Sequence, residues 1–440
     1  MIPDPRDLEG APRPPDAGDR PVPWHLLPDS SQVGGDGWLA IGGCSTAELV
    51  AELGTPLFVY DEDHLRARCR EAVATFGDGV SYATKAFLCL AMARLAHEEG
   101  MHLDVATGGE LHVALAAGVP AERLVLHGNN KSDAELVRAR QVGVGRTVVD
   151  SADELDRLDR LHAADGRVPR VLLRATPGVE AHTHEFVRTG QVDSKFGFGV
   201  ASGELAKAVE RAAASPAVAL VGVHLHIGSQ VFVADFFRQA VEVVAPWVRQ
   251  LDLPELSVGG GLGVPYVAGE EAPTLAQWGR VVIDACRDAG IRSRVTAEPG
   301  RAIAARAAVT LYSVGTVKEV PGVRTYVAVD GGMSDNPRPV LYGSGYEAFL
   351  PRAVDAPRPR TVTVVGKHCE SGDLLVRDAR VPADIAVGDV LATPVTGAYG
   401  HSMGSGYNKV PRPAVVFARG GDARTVVRRE TLDDLLRLDA

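Results

Sequence analysis

Residues 80–128, VSYATKAFLCLAMARLAHEEGMHLDVATGGELHVALAAGVPAERLVLHG, contain three short runs of strand formers: VSYATK (80–85), LDVAT (103–107) and RLVLHG (123–128). Longer stretches of helical periodicity separate them. The same alternation extends outward through RTVVDS (146–151), RVLLRATP (170–177), LVGVHLHIG (220–228), ELSVGGG (255–261) and RVTAEPG (294–300). Between these runs, SDAELVRARQVG (132–143), ADFFRQAVEVVAPWVRQL (234–251) and TLAQWGRVVIDACRDAG (274–290) repeat apolar residues every three or four positions, as an amphipathic helix requires. Eight strands with intervening helices over roughly 250 residues predict a (β/α)8 barrel. On this pattern alone a doubly wound open sheet competes with it.

Past residue 308 the pattern changes to AVTLYSVGTVKEV, RTYVAVDGG, RTVTVVGKH, DVLATPV and PAVVFARGG, strands divided by Pro, Gly and Asp turns. The fold expected is therefore α/β plus all-β: a barrel over residues 57–307 and a β-sandwich or β-barrel-like C-terminal domain over 308–440. Residues 31–56, which include WLAIGG, are expected to join the β domain, and the Pro-, Asp- and Gly-rich residues 1–30 to form a mobile extension.

The 440 residues are too many for one small core and suit two domains. A formal net charge of -10 argues against nucleic-acid or anionic-membrane partners, whose phosphates would be repelled. No apolar run is long enough to span a bilayer, and the N-terminus lacks the basic and apolar regions of a secretory signal, so a cytoplasmic location is expected. The five cysteines are scattered, with no CxxC pair, which disfavours a disulfide framework or a structural metal site.

Barrel chemistry gathers at the C-terminal ends of the strands, with phosphate commonly after strands seven and eight. There the chain places Lys85, His226, the run Gly259, Gly260, Gly261 and Gly263, and Glu298-Pro299-Gly300-Arg301. The glycines let backbone bend and approach an anion, and Gly300 and Arg301 open a helix whose amides favour one. A turn cluster of glycines explains GGGLG as well, but its place opposite Gly300-Arg301 favours a phosphate cup. A desolvated Lys85 amine could form a Schiff base with a carbonyl cofactor; a lysine at a strand end is more commonly a snorkelling surface residue. Glu298 could hold a protonated pyridine nitrogen, or form a structural ion pair. His226 could stack on a flat cofactor or be a core histidine, and His224, one layer deeper, reads as packing or support.

Together YATKA (82–86), DVATGGEL (104–111), HIGSQ (226–230), GGGLG (259–263), EPGR (298–301), DGGMSDNPRPVLY (330–342), CESGD (369–373) and GAY (397–399) closely resemble the fold-type III pyridoxal-phosphate decarboxylases, and within them the diaminopimelate decarboxylases. The resemblance runs from about residue 40 to 418. It implies a barrel binding pyridoxal 5'-phosphate, no metal, and a homodimer whose active sites are shared between subunits. It implies decarboxylation of meso-2,6-diaminopimelate to L-lysine. Carried over by motif, Lys85 is the Schiff-base lysine and His226 the stacking ring. Ser229, Gly259, Gly260, Gly261, Gly300 and Arg301 resemble the phosphate site, Arg301 touching substrate too. Glu298 resembles the pyridine partner, and Asp104 a cofactor-site acid followed by Thr107 at a usual Ser position. Arg338 and Tyr342 resemble the grip on the distal carboxylate, and Tyr399 a contact to both cofactor and substrate. Cys369 resembles the acid that protonates Cα, and Glu370 the acceptor for the distal ammonium. Within the same fold, carboxynorspermidine, arginine, a D-amino acid or carrier-bound glutamate are alternative substrates, and a non-catalytic cofactor-binding paralogue is a further alternative. His401, where an aromatic residue is common, and Lys409 depart from the family pattern.

Overall fold

The computed structural model of the chain describes residues 22–179 and 194–440. Two compact units emerge, one of residues 66–264 and 272–303, the other of residues 22–65, 265–271 and 304–440.

The first unit is the barrel. Its strands are Ser81–Ala83, His102–Val105, Leu124–Leu126, Arg146–Val149, Arg170–Thr176, Ala219–Leu225, Glu255–Ser257 and Arg294–Thr296. Each pairs in parallel with the next in chain order, which excludes the doubly wound sheet and its reversed strand order. Two backbone bonds bring the last strand back to the first: Ser81 N donates to Ala297 O at 2.9 Å and Ala83 N to Pro299 O at 3.3 Å.

Local chemistry sets the helix limits. Ser132 and Glu135 form a capping box that starts the helix Asp133–Val142, and Gly143 ends it in the left-handed conformation that costs a side-chain-bearing residue most. Thr274 and Gln277 start Leu275–Asp288 the same way. On that helix Trp278 is fully buried, packed edge-on against Phe76 at 5.1 Å and Phe237 at 5.2 Å.

The second unit is mostly sheet, in the order Leu374–Val381, Arg360–Val365, Arg324–Val329, Ala308–Val320, Leu57–Asp61, Ala414–Arg419, Asp422–Val427, with Val390–Pro394 also on Ala308–Val320. The long strand Ala308–Val320 bulges between Val314 and Thr316, so its first half pairs with Leu57–Asp61 and Val390–Pro394 and its second with Arg324–Val329. Leu57–Asp61, at the start of the expected barrel, belongs instead to this sheet, antiparallel to Ala308–Leu311 and parallel to Ala414–Ala418. Its fully buried run LFVYD suits a central strand better than a barrel entrance. Residues 22–30, assigned above to a mobile extension, are docked: Val22 and Leu27 join Leu39, Ile41, Leu57, Val309 and Val416 in one apolar core. Residues 1–21 of that extension lie outside the described residues. Strands Leu374–Val381 and Asp422–Val427 were not legible, because charges interrupt their alternation and the second is largely exposed. Among the described residues, no helix is long and apolar enough to cross a membrane.

Removing the Trp278 ring leaves a cavity that its two aromatic neighbours, Phe76 and Phe237, cannot close. Trp278→Ala is expected to cost about 3–5 kcal/mol, measured as an earlier urea midpoint followed by circular dichroism; an unchanged midpoint would show the ring is not part of the barrel's core.

Candidate active site

At the C-terminal end of the barrel, Glu298 follows the eighth strand and is 7% exposed. His224 on the sixth strand meets its Oε2 at 2.9 Å, and the Ser257 hydroxyl donates to its Oε1 at 3.0 Å. His127, just past the third strand, lies 3.4 Å from Oε1 and 3.6 Å from Asp104. Burial would raise the Glu298 carboxyl, but His224 and His127 outweigh it and hold it well below the usual carboxylate range. Asp104 has fewer partners, and burial pushes it up to about 6. Burial would lower His127, but Asp104 and Glu298 raise it, whereas His224 is lowered by burial. The result is an ionised Glu298 between His224, biased toward its neutral form, and His127, biased toward its cationic form.

His127, His224 and Glu298 also offer three ligand atoms within 4.8 Å of one another. A metal reading is disfavoured because His224 and Ser257 already engage both Glu298 oxygens. His127 was missed in the sequence although it ends RLVLHG, and the strand-end rule that picked out His226 applies to it equally. Arg174 was missed too. It is buried, 3.3 Å from Asp150 and stacked 4.2 Å from the Phe196 ring, and adds positive charge near Glu298.

His226 accepts from Gly260 N at Nδ1, 3.3 Å away, and burial, with the cations Lys85 and Arg174 nearby, drives its ring well below the usual histidine range. It is a neutral flat ring at the barrel mouth. Arg301 donates to Ser229 Oγ at 2.9 Å. A Cβ on Gly259 would fall 2.1 Å from Leu225 O, and one on Gly261 2.2 Å from Gly228 O, and both have positive φ, +68° and +107°. Packing against neighbouring backbone therefore requires these glycines whether or not an anion binds. The helix from Arg301 is four residues long, Arg301–Ala304, so the expected helix dipole there is small and the Arg301 side chain carries the positive charge. Gly300 packs against Ala83 O, 2.9 Å from where its Cβ would be. Lys85 is exposed, on a single 3-10 turn Thr84–Ala86 after the first strand, and so is not the desolvated amine expected. Thr107 accepts from Glu110 N at 3.2 Å and caps the helix Gly108–Ala116, a task any hydroxyl performs, which explains the Thr-for-Ser exchange.

In the sheet unit, Arg338 opens the short helix Arg338–Tyr342 and is 4% exposed. It donates to the Tyr346 hydroxyl at 3.0 Å and the Ser344 hydroxyl at 2.9 Å, and lies over the rings of Tyr266 at 4.6 Å and Tyr342 at 5.8 Å. Every one of these partners is neutral, and among the described residues no carboxylate pairs with it. Tyr266 and Tyr346 were not picked out from the sequence. Tyr399 is half-buried with φ +60°, a strained conformation for a bulky residue. Cys369 and Glu370 are exposed, in a loop tied down by Asp373, which accepts from His368 N at 2.9 Å and Met333 N at 2.7 Å. Neither reaches Arg338 by a hydrogen bond or ion pair among the described residues. Lys409 turns to the C-terminal tail, 3.4 Å from Leu435 O.

A family model described as "Pyridoxal-dependent decarboxylase, pyridoxal binding domain" matches residues 62–305. A diaminopimelate decarboxylase of Mycobacterium tuberculosis is 50% identical over 425 residues, 92% of this chain and 95% of that protein. One of Bacillus subtilis is 44% identical, covering 94% and 98%. Among solved structures, a diaminopimelate decarboxylase from M. jannaschii superposes with a TM-score of 0.87 at 31% identity, covering 94% of this chain and 98% of that one. One from Helicobacter pylori complexed with L-lysine does so with 0.82 at 31%, covering 89% and 98%.

His401 packs edge-on to Phe58, ring centroids 5.8 Å apart, and burial pushes it down to about 4. It fills an aromatic place as a neutral ring. The unfolded chain takes up a proton near pH 6.5 while the folded ring resists until about 4, so this residue costs stability as pH falls through that window. His401→Phe is expected to reduce the stability loss between pH 6.5 and 4 by about 2–3 kcal/mol, read from urea midpoints at several pH values; parallel pH profiles would show the ring titrates freely.

Proposed function

The chain belongs to the pyridoxal-dependent decarboxylase family, and on that premise we propose that it decarboxylates meso-2,6-diaminopimelate to L-lysine and CO2. The observation that carries the substrate is Arg338. A guanidinium buried among tyrosines and a serine keeps its full charge with no anion among the described residues to balance it, which costs several kcal/mol unless the ligand brings one. A distal carboxylate, as on diaminopimelate, does so; lysine and ornithine do not.

The donor set at the barrel mouth fits pyridoxal 5'-phosphate. Ionised Glu298 suits a protonated ring nitrogen, the neutral His226 ring suits stacking, Ser229 and Arg301 suit a phosphate, and the accessible Lys85 amine suits an aldehyde. When bound, the cofactor supplies an electron-withdrawing ring that accepts the electron pair left on Cα as CO2 departs. Lys85 would hold the cofactor through its aldehyde carbon. His224 and Ser257 orient Glu298, and His127 keeps it ionised, so that the ring nitrogen retains its proton. Asp104 biases His127 toward its cationic form. Arg338, with Tyr342 at its side, fixes the distal carboxylate, and Tyr399 borders cofactor and substrate. The exposed Cys369 and Glu370 suit a role across a subunit boundary: in a homodimer, the partner's Cys369 delivers the proton to Cα and the partner's Glu370 receives the distal ammonium. The reading extends to a cytoplasmic enzyme of lysine biosynthesis.

The decisive experiment incubates purified protein with meso-diaminopimelate and detects lysine; release from L-lysine, arginine or ornithine instead would overturn the substrate. Arg338→Met is expected to lower kcat/KM for diaminopimelate by about 10²–10³-fold with cofactor absorbance intact; a variant as active as the parent would remove Arg338 from the site. Lys85→Ala and Cys369→Ala should each be nearly inactive, and mixing them should restore part of the turnover. Absence of any recovery after subunit exchange would argue for a site contained in one chain.

A further inference from the structure

The opposite, N-terminal end of the barrel holds a cleft of about 850 Å³. It lies where strands begin: His102, Arg146, Arg170, Glu255 and Arg294 start the second, fourth, fifth, seventh and eighth strands. Its charge is not balanced. Five arginines and three carboxylates line it, in a chain whose formal net charge is -10. Including Asp165, which pairs with Arg140 at 2.5 Å, and Arg123, which pairs with Asp78 at 3.3 Å, leaves the excess unchanged.

Glu255 shows the imbalance most clearly. Arg146 holds it through Nε and Nη2, Arg294 at 2.8 Å and Arg170 at 3.2 Å, so three guanidinium groups converge on it, Arg294 also lying 3.5 Å from Asp78. Arg140 is 7% exposed, and its Nε and Nη1 have no acceptor among the described residues. His102 feels the same field: burial, with Arg123 and Arg146 beside it, pushes it down to about 4. A network serving only to tie strand starts together would pair its charges off; this one leaves positive charge over and keeps Arg170 and Arg167 side chains 54% and 53% exposed at the opening. Among the described residues, the Arg167 guanidinium has Asp165, at 3.8 Å, as its one carboxylate.

We propose that this cleft is a second binding site, for a small molecule bearing a phosphate group, separate from the cofactor site at the other end of the barrel. An excess of two positive charges matches a phosphate monoester near neutral pH, and arginine forks match its oxygens in pairs. Arg167, Arg170 and Arg294 grip the ligand; Arg146 and Glu255 position the last two. The volume falls within the range of small-molecule sites and exceeds what a bare phosphate fills.

The test titrates cofactor-saturated enzyme with inorganic phosphate by calorimetry, against sodium chloride of equal ionic strength. Saturable binding is expected with phosphate alone, weakened at least about ten-fold in the double variant Arg167→Ala, Arg170→Ala. Arg167→Ala alone, at a side chain half in solvent, should weaken binding several-fold and guards against a folding defect in the pair. Heats that match sodium chloride, equal affinity in all three proteins, or binding that releases cofactor in proportion and bleaches its absorbance would each overturn the proposal.

Discussion

A carboxylate taken out of water stays ionised only if its neighbours replace the lost hydration. Glu298 meets that condition through three side chains from three different strands: His127 after the third, His224 on the sixth and Ser257 on the seventh. The arrangement exists only when the barrel is closed, because Glu298 itself follows the eighth strand. Bonds from the first strand to Ala297 and Pro299, either side of Glu298, fix its backbone in the ring. Closure of the fold and ionisation of the acid are therefore one structural event. Asp104 completes the pattern from the second strand: two buried carboxylates share His127, one far below its usual range and the other raised to about 6. Their different environments divide one proton-rich cluster into an ionised group and a group that titrates near neutrality.

The sheet unit presents the complementary problem, a buried cation. Arg338 keeps its charge at any accessible pH, so neutralisation by proton loss is closed to it. Hydroxyls and aromatic faces lower the burial cost without cancelling the charge, which leaves the guanidinium selective for an anion and intolerant of an apolar substitute. Selectivity of this kind needs no movement of the protein; it is built into the packing of Tyr266, Tyr342 and Tyr346.

Much of this was legible in the chain. The eight strand runs were placed within a few residues, because parallel strands buried on both faces read as continuous apolar stretches ending in glycine or polar residues. Glu298 and Arg338 could be named because unusual residue types sat at strand ends or within dense motifs. What was lost has physical reasons. Leu57–Asp61 looks like any barrel strand until its partners, some 250 and 350 residues later, are known. His127 and Arg174 act through neighbours distant in sequence, and single residues carry no sign of that. Gly259, Gly260 and Gly261 have a packing reason that the sequence did not announce: neighbouring carbonyls leave no room for Cβ atoms. Tyr266 lies in the excursion 265–271 that leaves the barrel unit for the sheet unit, a departure that no periodicity announces.

The two ends of the barrel also differ in how they treat charge, and the difference bears on what each end is for. Conserving a fold asks only that buried charges be paired, and a pair at the base of a barrel is adequately explained as a tie between strands. At the mouth, Glu298 and Asp104 flank His127 while Asp150 pairs with Arg174, a setting that suits a protonated heterocycle. At the base, Glu255 is outnumbered by Arg146, Arg170 and Arg294. An unbalanced buried network is costly in proportion to its imbalance, since each surplus charge loses hydration without gaining a partner. At the base, Arg167 and Arg170 keep part of their hydration at the opening of the cleft, so the surplus charge is held there at a lower cost than in a closed core, and an anion seated between the guanidinium groups would lower it further.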